Sequence, residues 1–263
     1  MYLSSFFGPD DLPHPCAGCG QENRLDFDVR MAFQPIVDAT KREIYSYEAL
    51  VRGMNGEGAG VVIGRLREEQ RYRFDQTCRV KAIATAAALG MTTRLSINFM
   101  PNAVYQPATC IRLTLAAAER TGFPADKLIF EVTESEQLRD ARHVVGIIKD
   151  YQRRGFLTAI DDFGAGYAGL TMLADLQPNE VKLDIALTRE IDRDPVRRAI
   201  TDGIVRTCKA LGCTVVAEGV ETAGQYRALR DLGVELFQGF LFARPALEAL
   251  PQIDPALWSA LEA

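Results

Sequence analysis

The sequence predicts an α/β fold, a TIM-like (β/α)8 barrel with one antiparallel strand near its N-terminus. Three observations carry this prediction: eight short β-like runs, helical periodicity between them, and an opening pair of runs too close together for a helix to intervene.

The eight runs are 32–37, 43–51, 94–98, 128–132, 157–161, 180–183, 214–217 and 235–237. Helical stripes recur between them. Val80, Ile83, Ala84 and Ala87 form one, Val144, Ile147, Ile148 and Tyr151 a second, and Ile200, Ile204, Cys208 and Leu211 a third. Gly90, Gly122, Gly155, Gly212 and Gly233 fall where such helices should stop, as C-terminal glycine caps do. Alternating strands and helices with short connections imply parallel strands and right-handed crossovers, and eight strands close a barrel. Only 38–42 separates the first two runs, so those two should be antiparallel. Residues 1–24, rich in Pro, Gly and Cys and without a period, read as a tail or linker remnant, and 25–263 as the barrel domain. No sensor unit is expected beside the barrel within these residues.

At 48% hydrophobic and 25% charged residues, the composition is that of a globular chain with ample core. A net charge of −5 argues against a broad surface for a large nucleic acid, but not against a local site for a small nucleotide. No apolar run approaches the roughly 18–20 residues of a membrane span, and no secretory leader is visible. Cys78, Cys110, Cys208 and Cys213 lie in apolar stretches and read as reduced core residues, which makes the cytoplasm the expected location. Cys16 and Cys19 form a lone pair. With His14 they supply three ligands where zinc wants four, so the tail reading is preferred to a zinc site or a cross-link. The only histidines are His14 and His143, so acid–base or metal chemistry would fall to carboxylates, amides and lysine.

Such residues sit at the ends of the runs. In order they are Glu48, Asn98, Glu131 with Glu134 beyond it, Asp161 with Asp162, Lys182 with Asp184, Glu218 with Glu221, and Gln238. Each has a plainer reading alone: a solvated strand residue, a helix cap or a polar turn. Their recurrence at seven consecutive strand ends is much harder to dismiss. A barrel gathers these ends at one mouth. Glu48, Asn98, Glu131, Asp161, Asp162 and Glu218 would then share a small space, and crowded carboxylates raise one another's pKa unless cations compensate. Oxygen ligands without Cys or His suit Mg²⁺ or Mn²⁺. Adjacent aspartates suggest two ions, one carboxylate bridging both, with Lys182 placed to hold or polarise an attacking water. The glycine-rich stretch 162–170 reads as a flexible turn or a loop closing over the ions, with Glu134 as its brace.

Taken in order, these motifs resemble the EAL-domain cyclic di-GMP phosphodiesterases over about residues 26–250. The carriers are Gln34-Pro35-Ile36, Glu48-Ala49-Leu50, Asn98, Glu131-Val132-Thr133-Glu134, Asp161-Asp162-Phe163-Gly164, Lys182-Leu183-Asp184, 217–221 and Gln238-Gly239. The resemblance implies hydrolysis of cyclic di-GMP to the linear dinucleotide pGpG, by in-line attack, in a homodimeric bacterial signalling enzyme. It implies one ion on Glu48, Asn98, Glu131 and Asp161 and a second on Asp161, Asp162 and Glu218. Lys182 would contact the nucleophilic water, Glu134 would organise the loop and Gln238 would serve the metal site. Gln34, Arg52, Glu221 and Pro245 would line the dinucleotide, with the fork of Arg52 suited to phosphate or guanine. The chain departs from the family at Ala168-Gly169, where a serine pair is common, and in 53–72, which lacks the family's proline-centred segment. The alternatives are an inactive receptor for cyclic di-GMP and a protein-interaction module acting through 53–72.

Overall fold

The computed structural model describes residues 2–7, 25–104, 106–134, 141–166 and 169–262. Its strands are β1 (Val29–Asp38), β2 (Glu43–Gly53), β3 (Arg94–Asn98), β4 (Leu128–Thr133), β5 (Leu157–Phe163), β6 (Glu180–Leu183), β7 (Thr214–Ala217), β8 (Leu236–Phe237) and β9 (Ala246–Leu247). Strands β2 to β8 pair in sequence order and in parallel, and β1 closes the ring antiparallel to both β2 and β8. This is the expected eight-strand barrel with its antiparallel strand. Strand β9, two residues paired antiparallel with β1 at Ala32 and Phe33, is too short to carry a periodic signal in the sequence.

Strand alternation sorts side chains between the barrel interior and the helical layer. Tyr47, Leu95, Ile97, Phe130, Val132, Ile160, Val181, Leu183, Val215 and Phe237 join the main core beneath the helices. Residues of the opposite parity face inward. Ile36, Val216 and Leu236 fill the N-terminal part of the interior, with Tyr45 packed against them. Tyr45 is the extra residue of a bulge, since Ile36 pairs with Ser46 and Val37 with Ile44, and its hydroxyl donates to Glu180 Oε1 at 2.5 Å.

All five predicted helix-stop glycines take positive φ, between 69° and 87°. The Val144, Ile147, Ile148 and Tyr151 stripe is buried along the Ala141–Arg153 helix. The third predicted stripe needs correction. On the Pro195–Ala210 helix the buried positions are Thr201, Val205 and Cys208, while Ile200 is 50% exposed and Leu211 beyond the helix 54%. Both sets fit a helical period; Cys208 belongs to both, and Ile204 packs against the core partly buried. Tyr2–Phe7 forms a short helix with Leu3 and Phe7 buried in the main core, so these six residues are not a periodless tail. Cys16, Cys19 and His14 lie outside the described residues. Cys78, Cys110, Cys208 and Cys213 are buried. Among the described residues, no helix is long and apolar enough to cross a membrane.

Candidate active site

At the C-terminal ends of the parallel strands the inward series turn polar. Ser46 is followed by Glu48, Ser96 by Asn98, Ile129 by Glu131, Ala159 by Asp161 and Glu180 by Lys182, each two residues on. Lys182 is the hub and is fully buried. Its Nζ lies 2.8 Å from Glu218 Oε1, 2.9 Å from both Glu131 Oε2 and Asp161 Oδ1, and 3.4 Å from Glu48 Oε2. Burial alone would pull the Lys182 ammonium down, but the four carboxylates outweigh it and hold its pKa well above the ordinary lysine value.

Two amides fix Glu48. Asn98 Nδ2 donates to its Oε1 at 2.9 Å and Gln238 Nε2 to its Oε2 at 2.7 Å. Gln238 Nε2 also lies 3.4 Å from Gln34 Oε1, and Gln34 Nε2 donates to the Ala243 carbonyl at 3.1 Å.

Asp161 and Asp162 present a geometric problem, because neighbours on a regular strand point to opposite faces. The chain solves it with a bulge. Pairing of β5 with β6 shifts register between Ile160 and Phe163, and Asp162 adopts a left-handed φ of 54°. Aspartate is among the few side chains that tolerate this region. As a result two triplets, Glu48–Glu131–Asp161 and Asp161–Asp162–Glu218, each offer oxygens within 4.8 Å of one another, and Asp161 belongs to both.

The electrostatics mark a cluster with too much negative charge. Burial raises Glu131, opposed by Lys182 and reinforced by Glu48 and Asp161; Glu218 is raised by the same causes in the same order, with Asp161 ahead of Glu48. Burial first, then Asp161 and Asp184, pushes Asp162 up to about 6. Glu131 Oε1 and Gln238 Oε1 are buried without a hydrogen-bond partner. Buried acceptors without donors in an all-oxygen set fit hard divalent cations. Five carboxylates against one ammonium leave four negative charges, the charge of two divalent cations.

Glu134 sits beside this cluster. Its Oε2 accepts the Gly164 N–H at 2.6 Å, and a Cβ on Gly166 or Gly169 would meet its carboxylate at 2.9 or 3.1 Å. Both glycines thus let the Glu134 carboxylate lie close against the loop backbone. Arg52, Glu221 and Pro245 are not joined to the cluster. Arg52 Nη1 donates to the Val51 carbonyl and the Glu221 N–H to Gln225 Oε1, while Pro245 is half-buried just before β9. Two further residues at the site stand outside the strand-end pattern. The Thr188 hydroxyl donates to the Glu218 carbonyl at 2.6 Å. Phe240 is 46% exposed two residues beyond Gln238, with the Arg244 guanidinium 4.0 Å from its ring centroid.

The EAL domain family matches residues 21–245. The chain belongs to the EAL domain family. It is 37% identical over 237 residues to an Escherichia coli protein named "Probable cyclic di-GMP phosphodiesterase PdeD", covering 86% of this chain and 42% of PdeD. It is 31% identical to the Escherichia coli blue light- and temperature-regulated antirepressor BluF, over 84% of this chain and 55% of BluF. This EAL chain thus spans about half the length, or less, of these curated relatives. Among solved structures, a standalone versatile EAL protein from Vibrio cholerae O395 in c-di-GMP bound form superposes with a TM-score of 0.86 at 52% identity, covering 89% of this chain and 99% of that one. Klebsiella pneumoniae BlrP1 in a manganese/cy-diGMP complex gives 0.81 at 35% identity, covering 89% and 60%.

Proposed function

We propose that this EAL chain hydrolyses cyclic di-GMP to linear 5′-pGpG with two Mg²⁺ or Mn²⁺ ions, lowering the level of that second messenger in bacterial signalling. One observation carries the reading: two carboxylate triplets share Asp161 around a buried lysine. Glu48, Asn98, Glu131 and Asp161 would hold one ion, and Asp161, Asp162 and Glu218 the other. Bound, the ions supply the Lewis-acid charge that activates water and neutralises a phosphate in flight. The chain's own residues do the rest. Gln238 and Asn98 keep both Glu48 oxygens aimed at the mouth. Lys182 has no route to solvent, so its ammonium can serve only groups inside the site, first the carboxylates and then the attacking water. Glu134 holds the Gly164 backbone at the rim. Gln34, Arg52, Glu221 and Pro245 would line the dinucleotide, and the Phe240–Arg244 pair offers a flat face on which a purine can stack.

PdeD carries this activity in its name, and the Vibrio and Klebsiella proteins were solved with the cyclic dinucleotide. The similarity to BluF, an antirepressor, favours a second reading: a receptor that binds cyclic di-GMP without cutting it. An interaction module acting through 53–72 would instead capture its partner whether or not nucleotide and metal are present. The resemblance to the family implies a homodimer, and a cytoplasmic location fits the buried thiols of Cys78, Cys208 and Cys213.

The test is chromatographic detection of pGpG with Mg²⁺, Mn²⁺ or EDTA, alongside Glu48→Ala. The proposal expects metal-dependent pGpG that the variant does not make. Tight binding of cyclic di-GMP by the intact chain without any pGpG would overturn it in favour of the receptor.

A further inference from the structure

We propose that Asp75, in the Arg71–Ala88 helix outside the barrel wall, is a positioning residue for the cation ligands Asn98 and Glu131. The inference rests on the two-cation reading above and adds to it a device behind the wall. Asp75 is 3% exposed and Arg79, one turn on, is fully buried. The Asp75 carboxylate divides its work. Oδ1 accepts the Met100 N–H at 2.9 Å, while Oδ2 lies 2.7 Å from Arg79 Nη2 and accepts from Gln76 Nε2 at 3.1 Å.

Met100 lies two residues beyond Asn98. Between them, the Phe99 N–H donates to the Glu131 carbonyl at 3.0 Å. The exit of β3 is therefore held from the helix side by Asp75 and from the strand side by the backbone of the second ligand. Arg79 completes the grip. Its guanidinium carbon sits 5.3 Å from the Phe99 ring centroid and 5.4 Å from that of Phe130, and Nη1 donates to Tyr151 Oη at 3.0 Å. Phe99 follows Asn98 and Phe130 precedes Glu131. Alternation puts these rings into the helical layer while the ligands point inward.

Stability alone gives a weak reason for this pair. Burying two charges costs solvation that their attraction repays only in part, and apolar side chains of the same volume are often as stable or more so. What apolar side chains cannot do is accept the Met100 N–H, and that bond fixes the direction in which β3 leaves the barrel. Groups that orient metal ligands typically change affinity by about 10–100-fold when removed.

The test uses the full chain without nucleotide. Mn²⁺ binding is read by electron paramagnetic resonance, and thermal unfolding is followed in EDTA. Asp75→Ala removes the acceptor and is expected to weaken Mn²⁺ binding by about 10-fold or more. Asp75→Asn keeps an oxygen for Met100 and is expected to stay within about threefold of the parent. The charge-free pair D75L/R79M removes both buried charges and is expected to melt near the parent in EDTA, yet it still lacks the acceptor, so it should bind Mn²⁺ weakly. Parental Mn²⁺ affinity in D75L/R79M, or in Asp75→Ala at any melting temperature, overturns the inference, as does an Asn variant as weak as Ala. A parent chain that binds no Mn²⁺ overturns the two-cation reading instead.

Discussion

Replacing Lys182 with methionine removes the one ammonium among four carboxylates while keeping most of the side-chain volume. Its contacts span 2.8–3.4 Å. At an effective dielectric of about 20, each such contact has a gross attraction of about 5 kcal/mol. Desolvation of the ammonium takes back much of that sum, and removing one partner of a buried pair costs about 3–5 kcal/mol net. The cost depends on pH with a definite sign. Glu131 and Glu218 already sit above the ordinary carboxylate value of 4.5, and Lys182 is the group pulling them down. A carboxyl raised in the fold contributes stability that is fully present below its unfolded pKa and is lost as pH rises through the folded one. Without Lys182 the folded values climb further. The Lys182→Met deficit should therefore be small near pH 4.5 and full at pH 8. The assay is urea unfolding in EDTA, followed by the fluorescence of Trp258, the single tryptophan. Saturating Mn²⁺ should narrow the gap, because cations replace the missing charge. Equal unfolding midpoints for parent and variant at pH 8 in EDTA would contradict this, since they would mean that Glu131 and Glu218 are not ionised around this lysine.

Asp162, pushed up to about 6, should make Mn²⁺ binding release protons below that pH and make the metal-free fold lose stability as pH rises from 4 through 6; calorimetry in buffers of different ionisation enthalpy would detect the release, and Asp162→Asn should diminish it, leaving the share of the raised Glu131 and Glu218. Gln238→Leu strips Glu48 of its 2.7 Å donor and should cost about 1–3 kcal/mol in urea unfolding. It should also weaken Mn²⁺ binding by about 10-fold or more, measured by calorimetry. Glu134→Ala should cut turnover by about 10-fold or more with little change in Mn²⁺ affinity, because its carboxylate accepts from the loop at Gly164; steady-state kinetics over a metal titration separates the two.

Much of the site was legible because barrel geometry turns sequence position into spatial position. Glu48, Asn98, Glu131, Asp161, Lys182, Glu218 and Gln238 all end inward series, so parity and strand order suffice to bring them together. The hairpin was legible for an equally simple reason: five residues cannot hold a crossover helix. What escaped depends on local backbone or on distant partners. The turn that brings Asp162 beside Asp161 is a bulge with a left-handed residue, and a strictly alternating strand would have sent the second carboxylate the other way. Asp75 and Arg79 lie on the buried face of a helix whose apolar stripe was read from Val80 onward. As charged residues they suggest a solvated surface until Met100, Phe99 and Phe130 are seen around them. The Ile200 and Leu211 error arose because two overlapping periods fit one helix, and only the neighbouring strand decides which face is covered.

The proposed chemistry needs a pair of cations held by carboxylates that share Asp161. Calorimetric titration of the metal-free chain with Mn²⁺ counts them. Two ions per chain are expected, falling to one or none in Asp161→Asn, the shared ligand. A single ion in the parent chain, or an undiminished pair in Asp161→Asn, would contradict the claim.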